Sequence, residues 1–172
     1  LFGKHGVLSS IELQARAEIR YEAYIKQINI EAKTMLDMAS KQIRPAVVKY
    51  AGEVAQAIIA MKAVGMDATA QEEILQDINE NLKLLHEKLK VLEEETERAG
   101  ALQEDNKTQA FFYRDHVFKA MKELREPADR LELLVDEKTG RPLNNNLLDY
   151  KIPTAMDTPD LNVAFIELED PT

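Results

Sequence analysis

Apolar residues recur along this chain at the spacing of helices that pack against one another. The most regular run is Leu75, Ile78, Leu82, Leu85, Leu89 and Leu92. Its steps alternate three and four residues, the a/d seam of a heptad. The pattern predicts a helix from Thr69, with Glu72 as its capping partner, to about Ala99, with Gly100 as the stop. Upstream, Ser9 and Glu12 stand in the capping-box relation, so a first helix is expected to begin there. Its apolar positions are Ile25, Ile28, Ala32, Met35 and Ala39, and a second stripe continues from Ile43 and Val47 through Tyr50 and Val54 to Ile58 and Met61. Gly65 ends it, since glycine accepts positive φ without strain. Pro45 lies inside this run, has no N–H, and clashes with the carbonyl four residues back. A kink or short break near Lys41–Pro45 is therefore predicted, with helix resuming beyond it. At ~1.5 Å per residue the run would reach roughly 80 Å, too long for the flank of a compact globule of this size.

A third helix is predicted over about Glu104–Glu137, with the seam running from Ala110, Val117 and Met121 to Leu124, Ala128, Leu131 and Val135. Phe111, Phe112 and Phe118 widen its apolar face, and Pro127 predicts a second kink. Three such helices joined by short connections define the expected fold class: all-α, an elongated antiparallel bundle of three long, Pro-kinked helices. The seam of the second helix could serve inside this bundle or as a zipper between chains, and the internal use is the favoured expectation. After Glu137 the pattern changes. Thr139-Gly140-Arg141-Pro142 reads as a turn, three asparagines and three further prolines follow, and 161–168 resembles a short strand. The expected organisation is a helical bundle over 1–137 and an extended tail over 138–172.

Charge and composition narrow the function classes. The 172 residues carry 22 Lys+Arg against 31 Asp+Glu, a formal net charge of -9, with no Cys and no Trp. Residues 1–65 hold nine basic and six acidic side chains, 66–137 hold ten and nineteen, and 138–172 hold three and six. The first helix could thus face an acidic middle segment. The acidic balance argues against a general nucleic-acid binder, and no apolar run approaches the ~20 residues that span a bilayer. The absence of cysteine removes disulfides and thiolate chemistry. The N-terminal Leu1-Phe2-Gly3-Lys4 lacks an initiating Met and a signal-peptide order, so the chain reads as cut from something longer.

The candidate chemistry is thin. His5, His86 and His116 are scattered, without the i, i+4 pairing that zinc on one helix face requires. Gly3-Lys4-His5-Gly6 lacks the full spacing and preceding strand of a phosphate loop. Glu93, Glu94, Glu95 and Glu97 crowd the end of the second helix, against the macrodipole, so fraying or a basic partner is expected there. Ser9 and Ser10 read as capping residues, since no Gly-x-Ser-x-Gly surrounds them. Tyr21, Tyr24 and Tyr50 with Lys26, Arg44 and Lys49 could stack bases and hold phosphates, but core packing is the simpler reading. No catalytic, cofactor-binding or metal-ligating residue is assigned.

Two segments resemble known families. Tyr21-Glu22-Ala23-Tyr24-Ile25-Lys26-Gln27-Ile28-Asn29-Ile30-Glu31-Ala32, continuing through Thr34-Met35 and Asp37-Met38-Ala39 to Ile43-Arg44-Pro45-Ala46-Val47-Val48-Lys49-Tyr50, resembles the C-terminal helical region of type III glutamine synthetases. Leu124-Arg125-Glu126-Pro127-Ala128-Asp129-Arg130-Leu131-Glu132 resembles that family's last long helix, so the likeness covers about residues 1–137. The resemblance implies a part of an ATP-dependent glutamate–ammonia ligase, a large cytoplasmic oligomer of nitrogen metabolism. The full-length enzyme uses ATP and Mg, held by motifs absent from this chain. It further implies a non-catalytic prop whose partners are the rest of the enzyme and neighbouring subunits, with no cofactor of its own and no activity alone. The tail, from Thr139-Gly140-Arg141-Pro142 through Asn144-Asn145-Asn146 to Asp157-Thr158-Pro159-Asp160-Leu161, resembles the molybdenum-binding subunit of xanthine dehydrogenases and aldehyde oxidoreductases. The two likenesses imply a fused or misassembled reading frame or a chimera. A free-standing coiled-coil module and a molybdenum hydroxylase fragment stand as alternative expectations.

Overall fold

The computed structural model describes residues 9–135 and is helical almost throughout. The first rod comprises α1 (Ser10–Met38), a π-helical segment (Ala39–Ile43) and α2 (Arg44–Ala63). The second is a single helix, α3 (Thr69–Ala101). The third comprises α4 (Asn106–Phe112), a second π-helical segment (Tyr113–Val117) and α5 (Phe118–Leu134). The rods run antiparallel in succession, and no strand occurs among the described residues. The expected tail and its strand at 161–168 lie outside the described residues.

Local chemistry explains most of the boundaries. The Ser9 backbone N–H donates to the Glu12 carboxylate at 2.8 Å, and the Glu12 N–H donates back to Ser9 Oγ at 3.3 Å. That is the capping box foreseen from the sequence. Gly65 has φ 74°, Met66 N–H donates to the Met61 carbonyl, and Gly65 N–H to that of Lys62. These bonds form a Schellman motif that closes α2 and turns the chain into α3. Two predicted details differ. At the start of α3 the N-cap position is Ala68, which has no side-chain cap, and the residue before it, Asp67, accepts from both the backbone and the hydroxyl of Thr69 at 3.1 and 2.6 Å. Thr69 is thus the donor in this turn, and Glu72 pairs with Lys62 across it. Gly100 does not stop α3, which continues to Ala101. Gln109 donates to the Ala99 carbonyl at 3.0 Å, satisfying one of the groups a helix end leaves open. The third rod starts at Asn106 because Asp105 accepts from Thr108 N–H at 3.0 Å.

The break foreseen before Pro45 takes the form of a π turn. Arg44 N–H reaches the carbonyl of Ala39, five residues back. The wider turn adds one residue just where the proline ring would meet an α-helical carbonyl. It also keeps the core-facing series in line: Ile28, Ala32, Met35 and Ala39 continue as Ile43 and Val47, all buried. In the third rod the second π segment lies upstream of Pro127, and α5 runs on through that proline to Leu134.

The core lies along the shared axis of the three rods. Ile78, Leu85, Leu89 and Leu92 of α3 are buried among the first-rod series and Val117, Met121, Leu124, Ala128 and Leu131 of the third rod. The heptad of α3 is therefore an internal seam. Lys88 pairs with Glu123 at 2.7 Å, and Glu95 Oε2 lies 3.4 Å from His116 Nδ1. Seven residues forward on α3 thus match seven back on the third rod, as antiparallel heptads require.

Candidate interaction face

The residues singled out for chemistry are dispersed over this scaffold. His5 and the Gly3–Gly6 segment lie outside the described residues. His86 is exposed on α3. His116 stacks on Phe112 with ring centroids 4.3 Å apart, and the Arg98 guanidinium lies over the Phe112 ring, 5.4 Å from its centroid. Arg98 also donates to Glu95 at 2.6 Å. Glu95 thereby has the basic neighbours expected at this acidic helix end, while Glu93, Glu94 and Glu97 are exposed. Among the described residues no group of three or more His, Asp or Glu could hold a metal ion. No helix among them is long and apolar enough to cross a membrane.

The tyrosine–basic array does not form a stacking platform. Tyr21 and Tyr24 are buried, and burial pushes the Tyr24 hydroxyl up to about 12. Lys26 pairs with Glu22 on its own helix at 2.5 Å, whereas Arg44 and Lys49 face solvent. Glu31 is buried at 4% exposure; Gln27 donates to its Oε1 at 3.0 Å, and its Oε2 has no hydrogen-bond partner among the described residues.

Two surface features stand out, and neither was singled out from the sequence. The first is the outside of α2. Ala46, Val47 and Ile58 are buried, yet Val48, Ile59 and Val64 are 54%, 68% and 71% exposed, and Met66 in the following turn is exposed too. Val48 and Ile59 are eleven residues apart, which returns a helical side chain to within ~20° of the same direction. Gly52 and Ala63 extend that strip on one side, while Arg44 and Lys62 lie ~40° from Val48 at its other edge. A helix apolar on both sides is ordinarily covered on both. The sequence signal was present: α2 carries only Arg44, Lys49, Glu53 and Lys62 as charged residues. The predicted stripe ran through Ile43, Val47, Tyr50, Val54, Ile58 and Met61 and left Val48 and Ile59 without a role.

The second feature is an open groove of about 420 Å³ between the first rod and α3, beside the Ala39–Ile43 segment. Leu36 and Leu89 contribute apolar surface, and Lys33, Arg44, Lys90 and His86 line it. Ser40 Oγ donates to the Leu36 carbonyl at 2.6 Å, so its proton is committed to the helix. The groove joins residues some fifty positions apart in sequence, which is why periodicity along one helix does not reveal it.

The described residues thus form an α-helical bundle with apolar residues exposed on the outside of α2, and with Ile19 and Ile30 exposed on α1. Residues 1–62 match the family profile of the glutamine synthetase C-terminal domain. That segment ends within one residue of the end of α2. The chain is 31% identical over 140 residues to a glutamine synthetase of Butyrivibrio fibrisolvens, covering 80% of this chain and 20% of that protein. It is 28% identical over 148 residues to the type-3 glutamine synthetase of Dictyostelium discoideum, covering 81% and 20%. A shorter likeness, 50% identity over 40 residues, links 23% of the chain to 5% of a xanthine dehydrogenase molybdenum-binding subunit of Escherichia coli O157:H7. No solved structure is significantly similar. Over most of its length the chain resembles the C-terminal helical region of type-3 glutamine synthetases, and over a short stretch it resembles the molybdenum-binding subunit. It spans about a fifth of the length of the glutamine synthetases it matches.

Proposed function

We propose that this chain is a non-catalytic helical part of a cytoplasmic, oligomeric glutamine synthetase, the ATP-dependent glutamate–ammonia ligase of nitrogen metabolism. In this reading it braces the catalytic domain or the contacts between subunits, and the ATP and Mg of the reaction are held elsewhere in the parent enzyme. The observation that carries the reading is the outward apolar pair Val48 and Ile59 on α2, within the segment that matches the family profile. Removing such side chains from water contributes about 1.5–3 kcal/mol each, which favours a covering partner.

Two measurements test it. The purified chain with glutamate, ammonia, ATP and Mg should form no glutamine; turnover above blank would refute the non-catalytic assignment. Added to a type-3 glutamine synthetase lacking the matching fifth, the chain should bind and restore assembly in sedimentation. The Val48→Asp/Ile59→Asp variant should keep its helical spectrum and lose that binding. Unchanged binding by the variant would show that this face is not the contact.

A further inference from the structure

We propose that the groove beside the π-helical segment Ala39–Ile43 binds a small phosphate-bearing anion. This goes beyond the scaffold role and does not rest on it. The groove's volume of about 420 Å³ falls in the range of small-ligand sites, ~300–1,000 Å³.

Charge is the principal observation. Acids outnumber bases 31 to 22 in this chain, and Lys26, Lys41, Lys62, Lys88, Arg98 and Arg130 each stand against a carboxylate. Among the described residues several cations, including Lys49, Lys83, Lys107 and Lys119, stand in no ion pair, but Lys33, Arg44 and Lys90, likewise without an ion-pair partner there, converge on this one groove. Of its two carboxylates, Asp37 is paired with Lys41 on its own helix, leaving Glu93. Three cations and an imidazole therefore outweigh one free acid. Each is a hydrogen-bond donor, and phosphate, with multiple charge and several acceptor oxygens, matches that set. A single carboxylate would leave cations unmatched. Leu36 and Leu89 offer apolar surface to the organic part of such a molecule. The π segment fits the pattern, because π turns within helices occur frequently at functional sites.

The test is calorimetric titration of the full chain with inorganic pyrophosphate at low salt, with citrate at matched ionic strength as the polycarboxylate arm. Pyrophosphate should bind, more tightly than citrate. The Lys33→Gln/Arg44→Gln/Lys90→Gln variant should lose affinity by about tenfold or more with its melting curve unchanged. A control of equal charge change outside the groove, Lys49→Gln/Lys83→Gln/Lys119→Gln, should keep its affinity. Equal loss in both variants would mean diffuse electrostatics and overturn the site. Absence of pyrophosphate binding would overturn it as well, and tighter citrate binding would overturn the phosphate assignment. Should the groove variant fail to fold, Lys90→Gln alone and the His86 imidazole resonances during titration provide the same decision: both must respond.

Discussion

Glu132 on α5 is a described carboxyl whose ionisation opposes the fold, as burial also makes ionisation of Tyr24 and Tyr113 do at much higher pH. Burial raises its carboxyl from an ordinary 4.5 to about 7, with Asp129 adding to the push and Arg125 opposing it. A carboxyl raised on folding stabilises the native state in its protonated form. That contribution is fully present below pH ~4.5 and is lost as pH rises through about 7. Glu12, Asp67, Asp105, Asp115 and Glu123 have the opposite sign, held low by hydrogen bonds from Ser9, Thr69, Thr108, Arg114 and Lys88. Their contributions persist across neutral pH and disappear only as pH falls through the lowered values. Between pH 5 and 8 the slope should therefore belong to Glu132. Because the group is partly exposed, screening reduces the effect to about 1 kcal/mol of stability lost over that window. Urea unfolding at pH 5 and pH 8 measures it, and Glu132→Gln should remove the difference. An equal slope in the variant would place the ionisation elsewhere.

Among the helical elements, the π segment before Pro45 makes the sharpest structural claim. If Ala39–Ile43 holds one residue more than an α-helix needs, deleting Gln42 should regularise the turn and keep Val47 and Ile58 facing the core. The Pro45 ring would then meet an α-helical carbonyl, at about 3 kcal/mol. Deletion of Gln42 combined with Pro45→Ala should recover most of that loss. Deleting Gln27 from α1 should not be rescued, since it turns the following side chains by ~100°. Thermal melts of the variants decide this, and a Gln42 deletion insensitive to Pro45→Ala would dissociate the π turn from the proline. The position of this irregularity was legible because proline has one strong local rule, while its π form required knowing where Ile43 and Val47 pack. The ends at Ser9 and Gly65 were legible for the same reason: each follows from a few adjacent residues. The start of α3 at Thr69 was legible, but its capping partner was misread: Asp67 precedes Thr69 closely enough to take its donors, and Glu72 pairs with Lys62. Gly100 was misread because Ala101 needs only continued backbone bonding to stay helical. The groove and the outer strip of α2 depend on how rods lie beside one another, which the heptads constrain along each axis more than around it.

For the whole molecule, overlap of the rods sets the distribution of stability. The Lys88–Glu123 and Glu95–His116 pairs fix the antiparallel register of α3 and the third rod. Extending that register by eleven residues places Leu134, the end of α5, level with Asp77. From Ile78 to Leu92, α3 therefore lies between two other rods, and Ile78, Leu85 and Leu92 are fully buried there. Beyond that level the hairpin of α2 and α3 continues with two helices only, and Ile59, Val64, Met66 and Ile74 are exposed. Amide exchange protection follows the apolar contacts that opening must break. In the isolated chain, amides from Ile78 to Leu92 should exchange slowest, through opening of the whole bundle. Those from Ala57 to Glu73, across the hairpin tip, should exchange faster, through local separation of two helices. Denaturant should then accelerate the first group steeply and the second weakly, because a larger surface is exposed in the larger opening. Tip amides as slow as those of the central seam, with the same denaturant slope, would mean that the hairpin's apolar side is already covered in the isolated chain. That result would also remove the free face on which the proposed docking to a parent enzyme depends.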